Sequence, residues 1–368
     1  MISLIVDYVD LQAQWEEDKG ALLPVLVEVL ESGQYILGQP VDLLENALAE
    51  ACGVEHCVTV NSGTDALVIA IAALGIGRGD EVITPPNSFV ASAAAVAHLG
   101  ATPVFVDVLA NQLMDPAQVR KAITPRTKAI MPVHLSGRMC RMNEFDAISR
   151  ETGIPVVEDA AQSMGSRFLG RASGSWGVVG CFSAHPLKNL AAVGDAGFLV
   201  TRNAEIAEYA KRVRNHGLVD RTTVPSFGVV SRLDSLKAAV LCYRLGKLDS
   251  VIERRRHNAE IYLRELADVS IDLPVEDEAE FNTYHTFVVQ VDERDALKEF
   301  LESRGVGTAI HYPVPIHLQP AASKYGHGLG SFPVCESQAL RILSLPIHQN
   351  LELDQLLYVC SCIKDFYG

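Results

Sequence analysis

Three short segments carry residue types that can do chemistry. The first, Asn61-Ser62-Gly63-Thr64-Asp65, follows the β-branched run Cys57–Val60 and opens a helical pattern. A small Ser-Gly-Thr turn there offers backbone N–H groups, hydroxyls and the positive end of a helix, all of which suit a phosphate. A plain helix N-cap is the other reading. The second, Glu158-Asp159-Ala160-Ala161-Gln162, closes the apolar run at 154–157. An acid in that position serves as a metal ligand, a helix cap or the partner of a ring nitrogen. The third, His185-Pro186-Leu187-Lys188, ends a stretch, 172–187, with no charge at all. A lysine emerging there either snorkels to water, is paired, or has a lowered pKa, and a lowered pKa makes its amine nucleophilic. Together, a phosphate cradle, an acid and a lysine are the set that pyridoxal phosphate requires. The cradle holds the phosphate, the acid keeps the ring nitrogen protonated, and the lysine binds covalently and moves protons.

Such residues need a scaffold that delivers them to one place. Short β-branched runs recur at 57–60, 81–84, 102–108, 128–135, 154–160, 178–184 and 197–201. Most are apolar on consecutive positions, which suits strands covered on both faces, as in a parallel sheet. Helical patterns lie between them, over 64–74, 90–99, 116–122 and 142–152, and the alternation predicts an α/β fold. In open α/β sheets, ligands gather beyond the carboxyl ends of the strands, where all three segments fall. After about residue 240 the pattern changes. One or two charged helices over 236–262 precede a loop, a strand (286–291), a helix (295–304), a strand (308–312) and a C-terminal helix (354–366). The expected organisation is a large α/β domain over 1–245 and a smaller α+β domain over 246–368.

Composition narrows the class. The chain has 368 residues and a formal net charge of −14, and 48% of its residues are hydrophobic, so global disorder is excluded. The acidic balance excludes a general nucleic-acid binder. The N-terminal run is apolar for only six residues, and the long uncharged stretch 82–106 is broken by Pro85, Pro86 and Pro103, so neither a signal peptide nor a membrane helix is expected. The eight cysteines show no zinc spacing, and no metal site is expected. A cytoplasmic protein with reduced core thiols follows.

The motifs that carry this chemistry, with others in order along nearly the whole chain, resemble the DegT/DnrJ/StrS sugar aminotransferases. They include SGQYILGQPVDLLE (32–45), NSGTDAL (61–67), GDEVITPPNSFVASAAAVAHLGATPVFVDV (79–108), VEDAAQSMGS (157–166), FSAHPLKNLAAVGDAGFLVT (182–201), SRLDSLKAAVL (231–241) and HYPVPIHLQP (311–320). The resemblance implies the fold type I architecture of pyridoxal-phosphate enzymes, with a mostly parallel seven-stranded sheet. It implies that Lys188 carries the Schiff base, that Asp159 faces the pyridine nitrogen, and that Gln162 contacts the ring-hydroxyl side. Phe89 would stack on the ring, while Ser62, Gly63, Thr64 and Ser183 would hold the phosphate. His185 would border the sugar site and join Lys188 and Asp159 in catalysis. The implied activity is a ping-pong transfer of an amino group from an amino acid, usually L-glutamate, to a nucleotide-linked keto-sugar. A related dehydratase branch has His at the lysine position, so Lys188 favours transamination. The implied partner is a second copy of the chain, completing each cleft.

Three departures from the family pattern stand out. Val230 replaces an Asn that reaches the neighbouring subunit's cofactor phosphate, with Asn215, Arg221 or Ser231 as compensating donors. Ala196 interrupts the usual Gly-Gly in Gly194-Asp195-Ala196-Gly197, and Ala184 replaces a bulkier residue. Lys188-Asn189 with Gly194-Asp195 points to amination at C-3, whereas His185 is more reminiscent of C-4 enzymes; C-3 is favoured. A keto-cyclitol acceptor and a non-catalytic cofactor-binding sensor are the alternatives. Arg232 either binds the donor carboxylate or pairs with Asp234, and His311 and His317 are further substrate candidates. His134 reads as a hydrogen-bonded core histidine or, at a strand end, as a residue lining the cleft; Arg254–Arg256 reads as a solvated helix face, and Trp176 as a lid or loop packing. Anionic ligands call for a positive cleft on this acidic chain, with Lys188, Lys211, Arg212, Arg214, Arg221 and Arg232 as its sources.

Overall fold

Consecutive apolar residues leave no polar face to turn to water, so these runs must be covered on both sides. In the computed structural model, which describes residues 4–368, they form β1 (His56–Val60), β2 (Glu81–Thr84), β3 (Thr102–Phe105), β4 (Thr127–Ile130) and β5 (Val157–Asp159). Residues 1–3 of the apolar N-terminal run lie outside the described residues. A short hairpin, β6 (Arg167–Phe168) and β7 (Arg171–Ala172), precedes β8 (Val179–Ser183) and β9 (Gly197–Thr201). β3-β2-β4 make one parallel ladder. β1-β9-β8-β5 make another, in which β9 runs antiparallel to both neighbours. Parallel bridges from Ile130 to Val156 and from Val133 to Asp159 join β4 to β5. The expected seven-stranded sheet thus takes the form of a three-strand and a four-strand ladder side by side.

Helices α1 (Leu11–Ser32), α2 (Gln39–Cys52), α3 (Gly63–Ala73), α4 (Ala91–His98), α5 (Pro116–Ala122), α6 (Met142–Thr152), α7 (Ala204–Val213) and α8 (Ser235–Leu245) surround the ladders. One apolar core gathers Val58, Val60, Leu67, Ile71, Val96, Leu199 and Ile206. Another gathers Leu44, Leu48, Cys57, Phe182, Phe198, Val200 and Leu241. Adjacent residues of β9 fall into different cores, which is what two-sided burial requires. Phe182 and Phe198 stack with ring centroids 4.7 Å apart.

The second half contains α9 (Leu248–Glu265), β10 (Glu280–Phe281), β11 (Phe287–Gln290), α10 (Arg294–Ser303), α11 (Pro333–Arg341), β12 (Ile342–Leu345) and α12 (Leu353–Tyr367). β11 and β12 pair antiparallel over a core of Tyr262, Phe287, Leu297, Leu343, Val359 and Ile363. Val6, from the other end of the chain, joins this core and bridges Val306. The strand expected over 308–312 is a single bridge from Ala309 to Ser344, after which the chain enters the proline-rich segment. The arginine run is also not a solvated face. Successive helix positions turn by about 100°, so the three side chains part company. Arg254 reaches Glu17 of α1 (3.0 Å), and Arg256 pairs with Glu276 (2.8 Å) over the Phe281 ring. Arg255 turns inward and is 6% exposed. All eight cysteines are free, and no described helix is long and apolar enough to cross a membrane.

Candidate active site

The turns that follow β1, β2, β5 and β8 converge on a cavity of about 430 Å³. The second half of the chain and the N-terminal segment close it with Tyr8, Arg255, His285, His311, Tyr312 and His348. Ser62, Gly63, Thr64, Phe89, Asp159, Gln162, Ser183, His185, Lys188 and His311 all line this one space.

The first wall is the N-terminus of α3. The Ser62 hydroxyl caps it, accepting the Asp65 N–H at 3.1 Å, so the N-cap reading holds for this side chain. The cap leaves other first-turn N–H groups without a helical acceptor, facing the cavity. Close approach of two strands fixes the turn. A Cβ on Gly63 would stand 2.8 Å from the Ser183 Cβ, and one on Gly197 would stand 2.3 Å from the Ser62 carbonyl carbon.

The second wall is the end of β5, where two acids diverge. Glu158 faces away from the cavity and is fully buried. Its carboxylate accepts the N–H groups of Gly174 (2.9 Å), Trp176 (2.7 Å) and Gly177 (2.6 Å) and pairs with His134 Nε2 (2.9 Å). The Cys140 N–H donates to His134 Nδ1, making His134 a core histidine. Trp176 packs on Arg171 and Phe168, as loop packing. Asp159, one residue on, points into the cavity. It accepts the Ser92 hydroxyl at 2.7 Å and the Ala161 N–H at 3.2 Å. Burial raises its pKa above the usual carboxylate value, against these bonds and the nearby Lys188. A cationic donor would relieve that strain on the charged form. Gln162 is held in place: its Oε1 accepts the Ser136 N–H (2.8 Å) and its Nε2 donates to the Tyr312 hydroxyl (3.2 Å). The Phe89 ring is 54% exposed, and its centroid lies 5.7 Å from that of Tyr312.

The third wall carries the lysine. Burial pushes the Lys188 amine down to about 8, with Asp159 opposing the shift. Its Nζ lies 3.5 Å from Nε2 of His285, a residue the sequence analysis did not single out. Burial first, then the charges of Lys188 and Arg255, hold the His285 imidazole well below its usual pKa. His311 is lowered to about 4 by burial and by Lys188. His185 Nδ1 accepts the Leu187 N–H, which leaves Nε2 to donate.

Other expected residues lie elsewhere. Arg232 donates to Asn215 Oδ1 at 3.0 Å, and His317 pairs with Glu336 at 2.9 Å; neither lines the cavity. The basic cluster is also dispersed. Lys211 pairs with Glu208, Arg212 lies over Tyr209, and Arg214 is buried against Glu45 and the Thr59 carbonyl. Among the described residues, the lysine and arginine side chains that line the cavity are Lys188 and Arg255. Arg255, His285, Tyr8 and Tyr312 carry no local signature, because only tertiary packing brings them to the site.

A family model for the DegT/DnrJ/EryC1/StrS aminotransferases matches residues 17–364. The chain is 42% identical, over 363 residues, to dTDP-3-amino-3,4,6-trideoxy-alpha-D-glucose transaminase of Streptomyces venezuelae, covering 98% of this chain and 96% of that one. It is 39% identical over 366 residues to the pleiotropic regulatory protein of Geobacillus stearothermophilus, covering 98% of each. Among solved structures, S. venezuelae DesV in complex with a ketimine intermediate superposes with a TM-score of 0.97 at 42% identity, covering 99% of both chains.

Proposed function

The chain belongs to the DegT/DnrJ/EryC1/StrS aminotransferase family, and from that premise we propose that it moves the amino group of L-glutamate to the C-3 keto group of a nucleotide-linked deoxy-sugar. It is a sugar aminotransferase whose cofactor is pyridoxal phosphate. The observation that carries the reading is a buried lysine sharing one cavity with a buried aspartate and a helix N-terminus. That set fits the cofactor: the turn kept open at Gly63 and Gly197 suits its phosphate, and Asp159, whose charged form burial disfavours, suits a protonated ring nitrogen.

When bound, the cofactor supplies a carbon that accepts amines and a ring that accepts an electron pair. The roles of the chain's own groups follow. The α3 N-terminus, with Ser62, Gly63, Thr64 and Ser183, would bind the phosphate. Phe89 would cover a ring face, Gln162 would lie toward the ring hydroxyl, and Asp159 would accept the ring N–H. Lys188 would anchor the cofactor through Nζ, and the same amine, when free, would take the donor α-proton and later return a proton in the opposite direction. His185 offers its Nε2 hydrogen to the sugar.

The test supplies L-glutamate with nucleotide keto-sugars oxidised at C-3 or at C-4. 2-Oxoglutarate release and an amine located at C-3 by NMR support the reading; an amine at C-4 or no turnover opposes it. A keto-cyclitol acceptor is the second reading, favoured by the absence of the expected basic cluster from the cavity. A cleft that binds no nucleoside diphosphate would decide for it.

Only the neutral amine of Lys188 reacts, and with a pKa of about 8 its fraction grows tenfold per pH unit below that value. Covalent capture of pyridoxal phosphate by the apo-protein is therefore expected to accelerate about tenfold from pH 6 to 7 and to level off above pH 8. Stopped-flow absorbance measures it; a rate flat across that range argues against Lys188 as the nucleophile.

A homodimer is part of the same reading. Phe227 is 98% exposed and Val229 and Val230 are half-exposed, an apolar patch on a monomer. The patch adjoins Ser231, whose hydroxyl accepts the Asn61 N–H at 3.2 Å beside the cradle. Light scattering is expected to give twice the chain mass of 39.9 kDa, and Phe227→Asp is expected to lower it. A monomeric wild type would count against this.

A further inference from the structure

Five arginines in the described chain are 9% exposed or less: Arg138, Arg214, Arg244, Arg255 and Arg294. Four of them have a carboxylate within reach: Glu280, Glu45, Asp18 and Asp295 respectively. Arg255 has none among the described residues. Its Nη1 donates to the backbone carbonyls of Tyr284 (3.3 Å) and His285 (3.2 Å), and its Nη2 to Gln349 Oε1 (3.1 Å). Every acceptor is neutral, and Nε has no partner. Burial lowers the guanidinium pKa to about 10, with Tyr8 alone pulling the other way. A buried charge without a counter-charge is costly, and an anion bound beside it would lower that cost. Arg255 lines the cavity.

We propose that Arg255 is the anchor for the α-carboxylate of the amino donor. The inference rests on the aminotransferase reading and adds the donor subsite that the dispersed basic residues do not supply. His285 sets the scale. Its carbonyl accepts from Arg255 while its ring stands 3.5 Å from the Lys188 amine. Arg255 is thus one residue's width from the reacting nitrogen. An α-amino acid carries its amine and its carboxylate on the same carbon, which suits that short span. A sugar diphosphate hangs from C-1, two ring carbons from C-3, so its phosphates lie more bonds from the reacting carbon than the donor's α-carboxylate does. The cofactor phosphate has its own cradle at α3, built from the other half of the chain. A planar guanidinium also matches a carboxylate geometrically, which a lysine does not.

The test uses the cofactor-loaded enzyme and two variants, Arg255→Gln and Arg255→Lys. The KM for L-glutamate is read in the half-reaction, and dissociation constants are read for glutarate, an unreactive dicarboxylate, and for UDP and dTDP. In Arg255→Gln, the glutamate KM and the glutarate constant are expected to rise by about 30-fold or more. Arg255→Lys keeps the charge but loses the fork, and a rise of about five- to tenfold is expected. Diphosphate binding and cofactor retention stay within about twofold of wild type. Unchanged glutamate and glutarate values in Arg255→Gln overturn the proposal. A selective loss of diphosphate binding overturns it too, assigning Arg255 to the acceptor. Joint loss of donor, diphosphate and cofactor in both variants overturns it by making the residue structural. A wild type that exchanges its amino group with glutamate yet aminates no nucleotide keto-sugar sinks the acceptor reading alone and leaves the Arg255 comparison intact.

Discussion

Lys188→Ala is expected to abolish turnover, with kcat lowered by about 10⁴-fold or more. No other lysine lines the cavity among the described residues, so no neighbour can take over the amine's three tasks of anchoring the cofactor, accepting a proton and returning it. His285 stands closest, but a ring held neutral well below its usual pKa is a poor base at neutral pH. The covalent readout is separate from activity: denaturing mass spectrometry of the borohydride-treated variant should show no cofactor adduct. The fold should not suffer. A lysine held at about 8, against an ordinary 10.5, costs the folded apo-protein about 3 kcal/mol at neutral pH. Sign and window follow. The unfolded chain keeps its lysine proton to a higher pH than the folded one does. The penalty is therefore present in full below about pH 8 and fades as pH rises toward 10.5. Lys188→Ala apo-protein is accordingly expected to unfold at the wild-type temperature or slightly above it near pH 7. A variant that retained turnover above a thousandth of wild type would remove Lys188 from the chemistry.

Asp159→Asn has the next largest expected effect, a loss of about 10³-fold in kcat with cofactor affinity also weakened. Asparagine keeps the shape and one oxygen for the Ser92 hydroxyl, and loses the weaker bond from the Ala161 N–H. What it also loses is the negative charge that holds a proton on the ring nitrogen. A second signature follows from the neighbouring lysine. Asp159 raises the Lys188 pKa, opposing burial. Without that charge the amine must titrate lower still, so the pH midpoint of cofactor capture by the apo-protein moves down from about 8. A purely structural lesion would slow capture without moving its midpoint. An unmoved midpoint together with wild-type kcat would exclude Asp159 from the site.

Much of this site was legible in the chain because parallel strands end at a common edge. The turns after Val60, Asp159 and Ser183 had to be neighbours once their strands were recognised as buried on both faces. The contributions of the second half were not legible. His285 precedes a strand, Tyr312 lies in a proline-rich loop, and Tyr8 comes before the first helix; none has a periodicity or spacing of its own. Arg255 was hidden by its company, since three consecutive arginines look like one charged face until the helical turn separates them. His311 and His317, close in sequence, part at a short helical turn (Ile316–Leu318) that sends only the first to the cavity.

The divergence of Glu158 and Asp159 at the end of β5 has a consequence for how this protein tolerates insertions and deletions. Adjacent strand residues face opposite ways, so a shift of one position would exchange the two acids. Asp159, a methylene shorter, would then face the three amides and the histidine that Glu158 now satisfies, while Glu158 would enter the cleft with a longer reach. The scaffold and the chemistry would fail together. A single-residue indel between about positions 154 and 160 should therefore be purged from any library as sharply by a folding screen as by an activity screen. Indels in the exposed loop around Phe227 should separate the two selections.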